Sequence, residues 1–272
     1  MKPFKIIVLI AFAFISIASA AVFIGEKIGT DRTYPKITVE EEMIEVSLKA
    51  TDEELLKGVT AYDEKDKDLT DKIIIESISR FTEKGVSKVT YAVCDNDNNV
   101  AKASRMIKFK GYEAPKFRVT GNLCFSLYEH IDIREIIHAV DSLEGSITNK
   151  IVVTSDDYAT SIAGVFSLNA TVTNSKGDTS SIKLPLVVED HPLSVPVIEL
   201  KEYLVYTKKG KAVDLKSYIV DALDTQEVSL KDKVTFESNV DYNTPGTYYV
   251  HYYVTDSLGL RGHSIMTVIV GE

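Results

Sequence analysis

Three stretches of this 272-residue chain repeat one another at an interval of about 80 residues, so the same structural problem is solved three times over. An Ala-x-Asp triplet recurs as Ala61-Tyr62-Asp63, Ala139-Val140-Asp141 and Ala222-Leu223-Asp224, each with an apolar residue two places before the alanine: Val59, Ile137 and Val220. Six residues beyond each aspartate stands an aliphatic residue, Leu69, Ile147 or Leu230, and three further on a lysine preceded by Asp or Asn: Lys72, Lys150 and Lys233. Thirteen or fourteen residues after the lysine comes a glycine (Gly85, Gly164, Gly246), and ten after that Asp95, Asn174 or Asp256. Constant spacings in three places exclude coincidence. With 44% apolar residues the chain can bury real cores, and it is expected to form globular units rather than a disordered tail.

Beyond each glycine the residues alternate with period two. Tyr248, Val250, Tyr252 and Val254 share one face of a strand, while Thr247, Tyr249, His251, Tyr253 and Thr255 share the other. Val89, Tyr91 and Val93, and Phe166, Leu168, Ala170 and Val172, make the same apolar face in the other copies. Each run turns at Asp or Asn and returns as a second alternating strand, Ser104 to Phe109, Ser180 to Val188 and His263 to Val270, which predicts a hairpin per copy. Only Ile133–His138 and Leu215–Ile219 read as brief helical turns, too short to build a layer. The predicted fold class is therefore all-β: three tandem immunoglobulin-like β-sandwich domains after an N-terminal hydrophobic helix. Prolines at Tyr34-Pro35, Ala114-Pro115 and Val195-Pro196 resist strand pairing and mark the junctions. The expected division is 1–28 as a signal or anchor segment, then domains at 35–112, 113–190 and 191–272. Short linkers, Gly111–Pro115 and Glu189–Pro196, leave little slack, so an end-to-end rod is expected.

The N-terminus sets the compartment. Lys2 and Lys5 precede an uncharged run from Ile6 to Ile24, the order of an export signal, and the rest of the chain is expected outside the cell. Ala18-Ser19-Ala20 fits a cleavage site, yet the run exceeds a usual h-region of about 7–15 residues and can span a bilayer of roughly 30 Å. An uncleaved membrane anchor is preferred, with secretion after cleavage as the alternative. No cysteine comes directly after the run, which excludes a lipoprotein anchor. Forty acidic against 31 basic side chains, a net charge of −9, repel phosphate backbones, so no nucleic-acid partner is expected.

The motif Ala61-Tyr62-Asp63-Glu64-Lys65-Asp66-Lys67-Asp68-Leu69-Thr70, together with Pro245-Gly246-Thr247-Tyr248 and Tyr252-Tyr253-Val254-Thr255-Asp256-Ser257-Leu258-Gly259, resembles the bacterial Ig-like domains of group 3. These are tandem modules of surface proteins that also occur in pesticidal crystal proteins. Lys67 stands where the family has glycine, and the middle copy keeps Gly145 and Ile147-Thr148 but has Glu144 and Ser146 in place of aspartates. The resemblance covers about residues 35–271. It implies spacers, adhesin stalks or ligand-binding tips, and fold alone does not choose among them.

Catalytic signatures are absent: there is no G-x-S-x-G, no H-E-x-x-H and no G-x-x-x-x-G-K-S/T. The chain is expected not to be an enzyme. Asp63, Asp66, Asp68 and Asp71 offer closely spaced oxygen ligands for Ca²⁺, but Lys65, Lys67 and Lys72 interleave, and a solvated turn is the preferred reading. Asp95-Asn96-Asp97-Asn98-Asn99 is weighed the same way, as a hairpin turn before a calcium loop. No other metal and no cofactor is expected. Tyr249, His251 and Tyr253 form an outward strip that can stack on a sugar or partner, although cross-strand packing is the simpler account. The five histidines, His130, His138, His191, His251 and His263, read as surface or sheet residues. Cys94 and Cys124 fall at ends of successive domains that stacking should separate by more than the ~7 Å a disulfide allows, so two free thiols are expected. The leading expectation is a surface or secreted spacer, adhesion or protein-interaction module with an unidentified surface glycan or protein as partner. The alternative is a carbohydrate- or peptide-binding module that targets an enzyme or complex to a surface polymer.

Overall fold

A computed structural model describes residues 12–21, 33–155 and 160–272. Residues 12–21 are helical (α1). Among the described residues no helix is long and apolar enough to cross a membrane, and the rest of the expected anchor, residues 1–11 and 22–28, lies outside them. The chain divides into two compact units, Met1–Gly111 and Tyr112–Glu272.

The first unit is built from two sheets. One has β1 (Lys36–Val39), β3 (Val59–Asp63) and β4 (Lys67–Asp68); the other has the order β2-β7-β6-β5, with β2 (Met43–Val46), β5 (Ile74–Glu83), β6 (Val86–Cys94) and β7 (Val100–Phe109). A five-residue helix, α2 (Asp52–Leu56), crosses between them. Thr51 and Glu54 form a reciprocal capping box at its start, which satisfies amides that so short a helix leaves open. The strand β2 pairs parallel to β7 while its neighbour β1 belongs to the other sheet, the crossover expected of an Ig-like sandwich. The core is Val46, Leu55, Val59, Ala61, Leu69, Ile73, Val89, Tyr91, Val93 and Ile107. Val89, Tyr91 and Val93 are the alternating residues read from the sequence, all buried on one face of β6.

The second unit repeats this order twice. Strands β8 (Lys116–Val119), β10 (Ile137–Asp141) and β11 (Gly145–Ser146) face the sheet β9-β14-β13-β12, made of Cys124–Ser126, Thr179–Glu189, Gly164–Thr173 and Val152–Ser155. A single turn, α3 (Ile133–Ile136), precedes β10. Then β15 (Val197–Leu200) and β17 (Ile219–Leu223) face the sheet β16-β20-β19-β18, made of Leu204–Lys208, Arg261–Gly271, Gly246–Thr255 and Thr235–Ser238. The all-β class is as the sequence predicts, and the hairpins stand where the period-two runs place them: β6/β7, β13/β14 and β19/β20.

The repeated motif does one structural job. Leu69 donates its amide to the Ala61 carbonyl (2.9 Å), Ile147 to Ala139 (2.9 Å) and Leu230 to Ala222 (2.6 Å), and a 3₁₀ turn comes after each. In the first two copies a threonine hydroxyl, Thr70 or Thr148, also takes the alanine amide, at 3.2 and 3.1 Å. The third copy has Lys231 there, and Asp221 accepts from the Ala222 amide instead.

The expectation of copies joined only by short linkers fails within the second unit. One apolar cluster runs from Phe117 and Leu168 through Leu186 to Ile198, Leu204, Tyr252 and Val268. Polar bonds cross the same seam: the Phe117 amide donates to the Tyr206 hydroxyl (3.2 Å), and Asn122 donates to the His263 carbonyl (2.8 Å) and accepts from the Ile265 amide (3.2 Å). Val119 and Leu204, apolar on strands assigned to separate sandwiches, thus have each other's copies to pack on. Cys94 and Cys124 are free thiols.

Candidate functional site

The four aspartates of the first-copy loop do not gather around one point. Asp63, at the end of β3, is buried, and its Oδ1 accepts the amides of Lys65 (2.8 Å) and Asp66 (3.0 Å), an Asx turn. Asp66 turns toward the β6–β7 connection, where its two oxygens accept from the amide (2.8 Å) and side chain (2.7 Å) of Asn96. Asp68 accepts the Thr70 amide (2.9 Å), and its hydrogen bonds with Thr70 hold its carboxyl below the usual range. Asp71 sits exposed on the 3₁₀ turn. In the 95–99 connection, Asp95 accepts the amides of Asp97 (2.9 Å) and Asn99 (2.7 Å), and Asn99 Nδ2 bonds its other oxygen (2.7 Å). Lys65 pairs with Asp97 (2.5 Å) across the two turns. Among the described residues no three His, Cys, Asp or Glu side chains converge as a ready metal-ligand set.

On β19 the outward residues are half-buried rather than displayed. Tyr249 has its phenol pushed up by burial, and its amide is tied to Asn239 (2.9 Å). His251 stacks on Tyr253 (6.3 Å between centroids) and on His263 of β20 (5.2 Å), Tyr253 stacks on His263 (4.5 Å), and the Arg261 guanidinium lies 3.8 Å over the Tyr253 ring. Register explains the cluster: Tyr253 is opposite His263, and His251 lies on its diagonal, both within reach on one sheet face.

Reading histidines one at a time misses what they build together. Glu189, the last residue of β14, accepts from His263 Nδ1 (2.8 Å) and faces His191 Nε2 (3.4 Å), while His263 Nε2 contacts His251 Nδ1 (3.0 Å). With Glu189 accepting the proton on His263 Nδ1, one of the two facing ring nitrogens, His263 Nε2 or His251 Nδ1, donates and the other accepts. His251 is held below the usual histidine range by burial and by His263 beside it. Glu189 is held below the carboxylate range chiefly by its bond from His263. The half-buried Cys124 thiol is pushed up by loss of water and by the Glu189 charge. Ser126 Oγ lies 3.0 Å from His191 Nδ1, which superficially completes a hydroxyl–imidazole–carboxylate line. Ser126 is only 3% exposed and also faces the Pro192 carbonyl (3.4 Å), so its oxygen meets protein rather than substrate. The group as a whole ties the end of β14 to β19 and β20.

A second polar node serves the fold. In the first unit Arg105, 3% exposed, donates Nε to the Tyr91 hydroxyl (2.8 Å) and its guanidinium to the Leu55 (2.7 Å) and Lys57 (2.8 Å) carbonyls at the end of α2. Tyr91 donates to the same Leu55 carbonyl (2.7 Å). Tyr252 occupies the equivalent place after its glycine and donates to Leu215 (2.9 Å). These hydroxyls close helical turns, and the period-two pattern, which marks both tyrosines as core, carries no trace of that.

Residues 207–270 match the family model of the bacterial surface protein Ig-like domain, so the resemblance read from the motifs is borne out over the third copy. An uncharacterized 81.3 kDa protein of Acholeplasma phage L2 is 26% identical over 189 residues, 64% of this chain and 25% of its own length. The pesticidal crystal protein Cry22Aa of Bacillus thuringiensis is 29% identical over 138 residues, 49% of this chain and 18% of its own. The chain thus spans a quarter or less of these relatives. Among solved structures, the M60 catalytic domain with two CBM51 domains of Clostridium perfringens ZmpB aligns at 16% identity and a TM-score of 0.25, over 87% of this chain and 30% of that one. Drosophila N-cadherin EC1-4 aligns at 13% and 0.23, over 88% and 76%.

Proposed function

We propose that this chain is a non-enzymatic extracellular surface protein, in which Ig-like domains at residues 35–112, 113–190 and 191–272 act as a spacer, adhesion or protein-interaction module and residues 1–28 supply an export signal or membrane anchor. The observation that carries the reading is the match of residues 207–270 to a domain family of bacterial surface proteins, in a chain whose strand order is repeated in the two preceding copies. The chemistry of the described residues supports it. The buried polar groups, Asp63, Arg105, Ser126 and Asp141, are committed to turns, helix ends and the seam of the second unit. In the second unit a shared core makes two sandwiches one stiff element, suited to transmitting position rather than to closing on a small molecule.

The test is a fractionation and surface-protease experiment on cells carrying the full chain, with a screen of the exported part against glycan and matrix-protein arrays. Surface exposure with protein binding or none supports the proposal. Chain retained in the cytoplasm refutes it, and glycan binding abolished by changes at Tyr249, His251 and Tyr253 replaces it with a carbohydrate-binding role.

A further inference from the structure

The first copy buries a charge that the other two do without. Arg105 lies opposite Val89 in its hairpin, and the residues at the same register in the other hairpins, opposite Leu168 and Val250, are Leu184 and Met266, both fully buried. An apolar side chain therefore completes the fold at this place, and a buried guanidinium costs free energy unless opposite charge meets it. Among the described residues no carboxylate forms an ion pair with Arg105. Its Nε and Nη2 close the end of α2 through Tyr91, Leu55 and Lys57, whereas in the third copy the Tyr252 hydroxyl makes the corresponding bond to Leu215 without an arginine. Nη1 bonds no acceptor among the described residues.

Arg105 borders a cleft of about 860 Å³ within the first unit, which has Ile44, Val46 and Leu48 as its apolar wall. Four glutamates and three lysines also line it, but all seven are exposed and screened by water, so the buried guanidinium is the charge that selects what enters. One side of the cleft is a sheet edge. β2 pairs with β7, where the Met106 amide donates to the Glu42 carbonyl (2.8 Å) and the Lys110 amide to that of Val46 (2.9 Å). Strand bonds alternate between the two sides with period two, so Met43 and Glu45 turn their amides and carbonyls away from β7. Both residues are exposed, and these groups have no backbone partner among the described residues. The corresponding strands of the second unit run along its seam instead: Asn122 beside β9 bonds β20, and Tyr206 of β16 bonds β8.

We propose that this cleft takes an extended peptide as an added strand along β2 and holds its C-terminal carboxylate on Arg105. Open amides and carbonyls pair with a backbone of any sequence, the apolar wall receives alternate side chains, and a carboxylate brings both the charge and the acceptors that Nη1 lacks. The register places Arg105 level with Glu42, at the end of β2, so the group that meets it is the one where an added strand finishes. The inference rests on the reading of the chain as a protein-interaction module and names where, and by which group, a partner is held.

The test is binding of the full exported chain to an array of short peptides of varied sequence, each presented with a free C-terminus and again as the C-terminal amide, with the hits measured by calorimetry. Hits are expected to weaken by about tenfold or more on amidation, the loss of a charge-assisted bond. Arg105→Met, which installs the residue of the third copy, is expected to bind acid and amide alike. Glu45→Pro removes an outward amide while the ladder to β7 stays whole and Arg105 is untouched, and is expected to weaken every hit by about tenfold or more. If Arg105→Met fails to fold, the amide comparison and Glu45→Pro still decide. An array without hits overturns the proposal, as do hits that bind equally well as amides or that Glu45→Pro leaves unchanged. Failure here is distinct from failure of the surface-module reading: a chain at the cell surface that binds no peptide loses only the groove, whereas a chain retained in the cytoplasm loses the module reading whatever the peptides do.

Discussion

Gly262 in β20 is predicted to be the least replaceable glycine of the second unit, for reasons of space alone. A Cβ built there would lie 2.0 Å from the Pro196 carbonyl oxygen, 2.8 Å from its carbon and 3.3 Å from the proline ring. All but the last are main-chain atoms, which have no rotamer to escape into. Neither partner moves easily: at Gly262 β20 is paired with β19 through Val254, and Pro196 leads directly into β15, which is held by β17. A carbon and a carbonyl oxygen rest at about 3.3 Å, so Gly262→Ala must open the junction by more than about 1 Å. Overpacking by one methyl costs about 1–3 kcal/mol where side chains can adjust. With backbone on both sides the upper figure applies, about 3 kcal/mol, which lowers the midpoint of a unit this size by about 6–12 °C. The assay is chemical and thermal unfolding of the exported chain, with Gly271→Ala as the control. That Cβ would meet only the Thr207 carbonyl at 3.6 Å, an ordinary contact, and is expected to change stability by less than about 0.5 kcal/mol. A Gly262→Ala chain within about 0.5 kcal/mol of wild type, or one no worse than Gly271→Ala, would refute the reasoning.

Other consequences can be measured on the same material. Lys67 sits in the left-handed region at φ 67°, where the second copy has Gly145 at φ 75°, so Lys67→Gly is expected to stabilise the first unit by about 1 kcal/mol in urea unfolding. Tyr252→Phe keeps the ring in the core but orphans the Leu215 carbonyl, and should cost about 1 kcal/mol with little change in denaturant slope. His251 is held below its ordinary range by burial and by His263 beside it, against the opposing pull of Glu237 and Glu189, so the folded state binds its proton less readily than the unfolded chain. Its neutral form then supports folding fully above about pH 6.5, and that support is lost as pH falls below it. Glu189, also shifted down, adds stability present above the ordinary glutamate range and lost as pH falls through its own lower value. Urea midpoints of the second unit should therefore fall in two steps on acidification, and His251→Gln should remove the upper one only.

The fold was legible because its signals are local. Alternation along Tyr248–Val254 marks a strand and its inner face, and a turn ten residues past the glycine marks the hairpin, without reference to anything distant. Equal spacing did not mean equal work, however. Gly85 turns the β5–β6 hairpin at φ 74°, whereas Gly164 and Gly246 merely open their strands beneath the rings of Phe166 and Tyr248. Nor could a period-two pattern report that Leu204 and Phe117 belong to one core, since an apolar strand face reads the same whether its cover comes from its own sandwich or the next. The helix α2 was missed because its five residues show less than two turns of periodicity, although Thr51 and Glu54 stood at capping-box spacing.

The polar groups divide in the same way, and the division bears on how repeats diverge. Asx turns at Asp63 and Asp141 are written into neighbouring residues and can be read from either copy alone. The partner of the second oxygen lies more than thirty residues away, Asn174 for Asp141, and becomes visible only when the copies are set beside each other. The Glu189–His263–His251 chain spans still more sequence and has no counterpart among the described residues to compare, which is why isolated histidines looked uninformative. A repeat preserves the bonds a turn makes with itself, because losing them unfolds every copy in the same way. It leaves the long-range partner free to change, from Asn174 in the second copy to Asp95 in the first, which exchanges a side-chain N–H donor for a further acceptor.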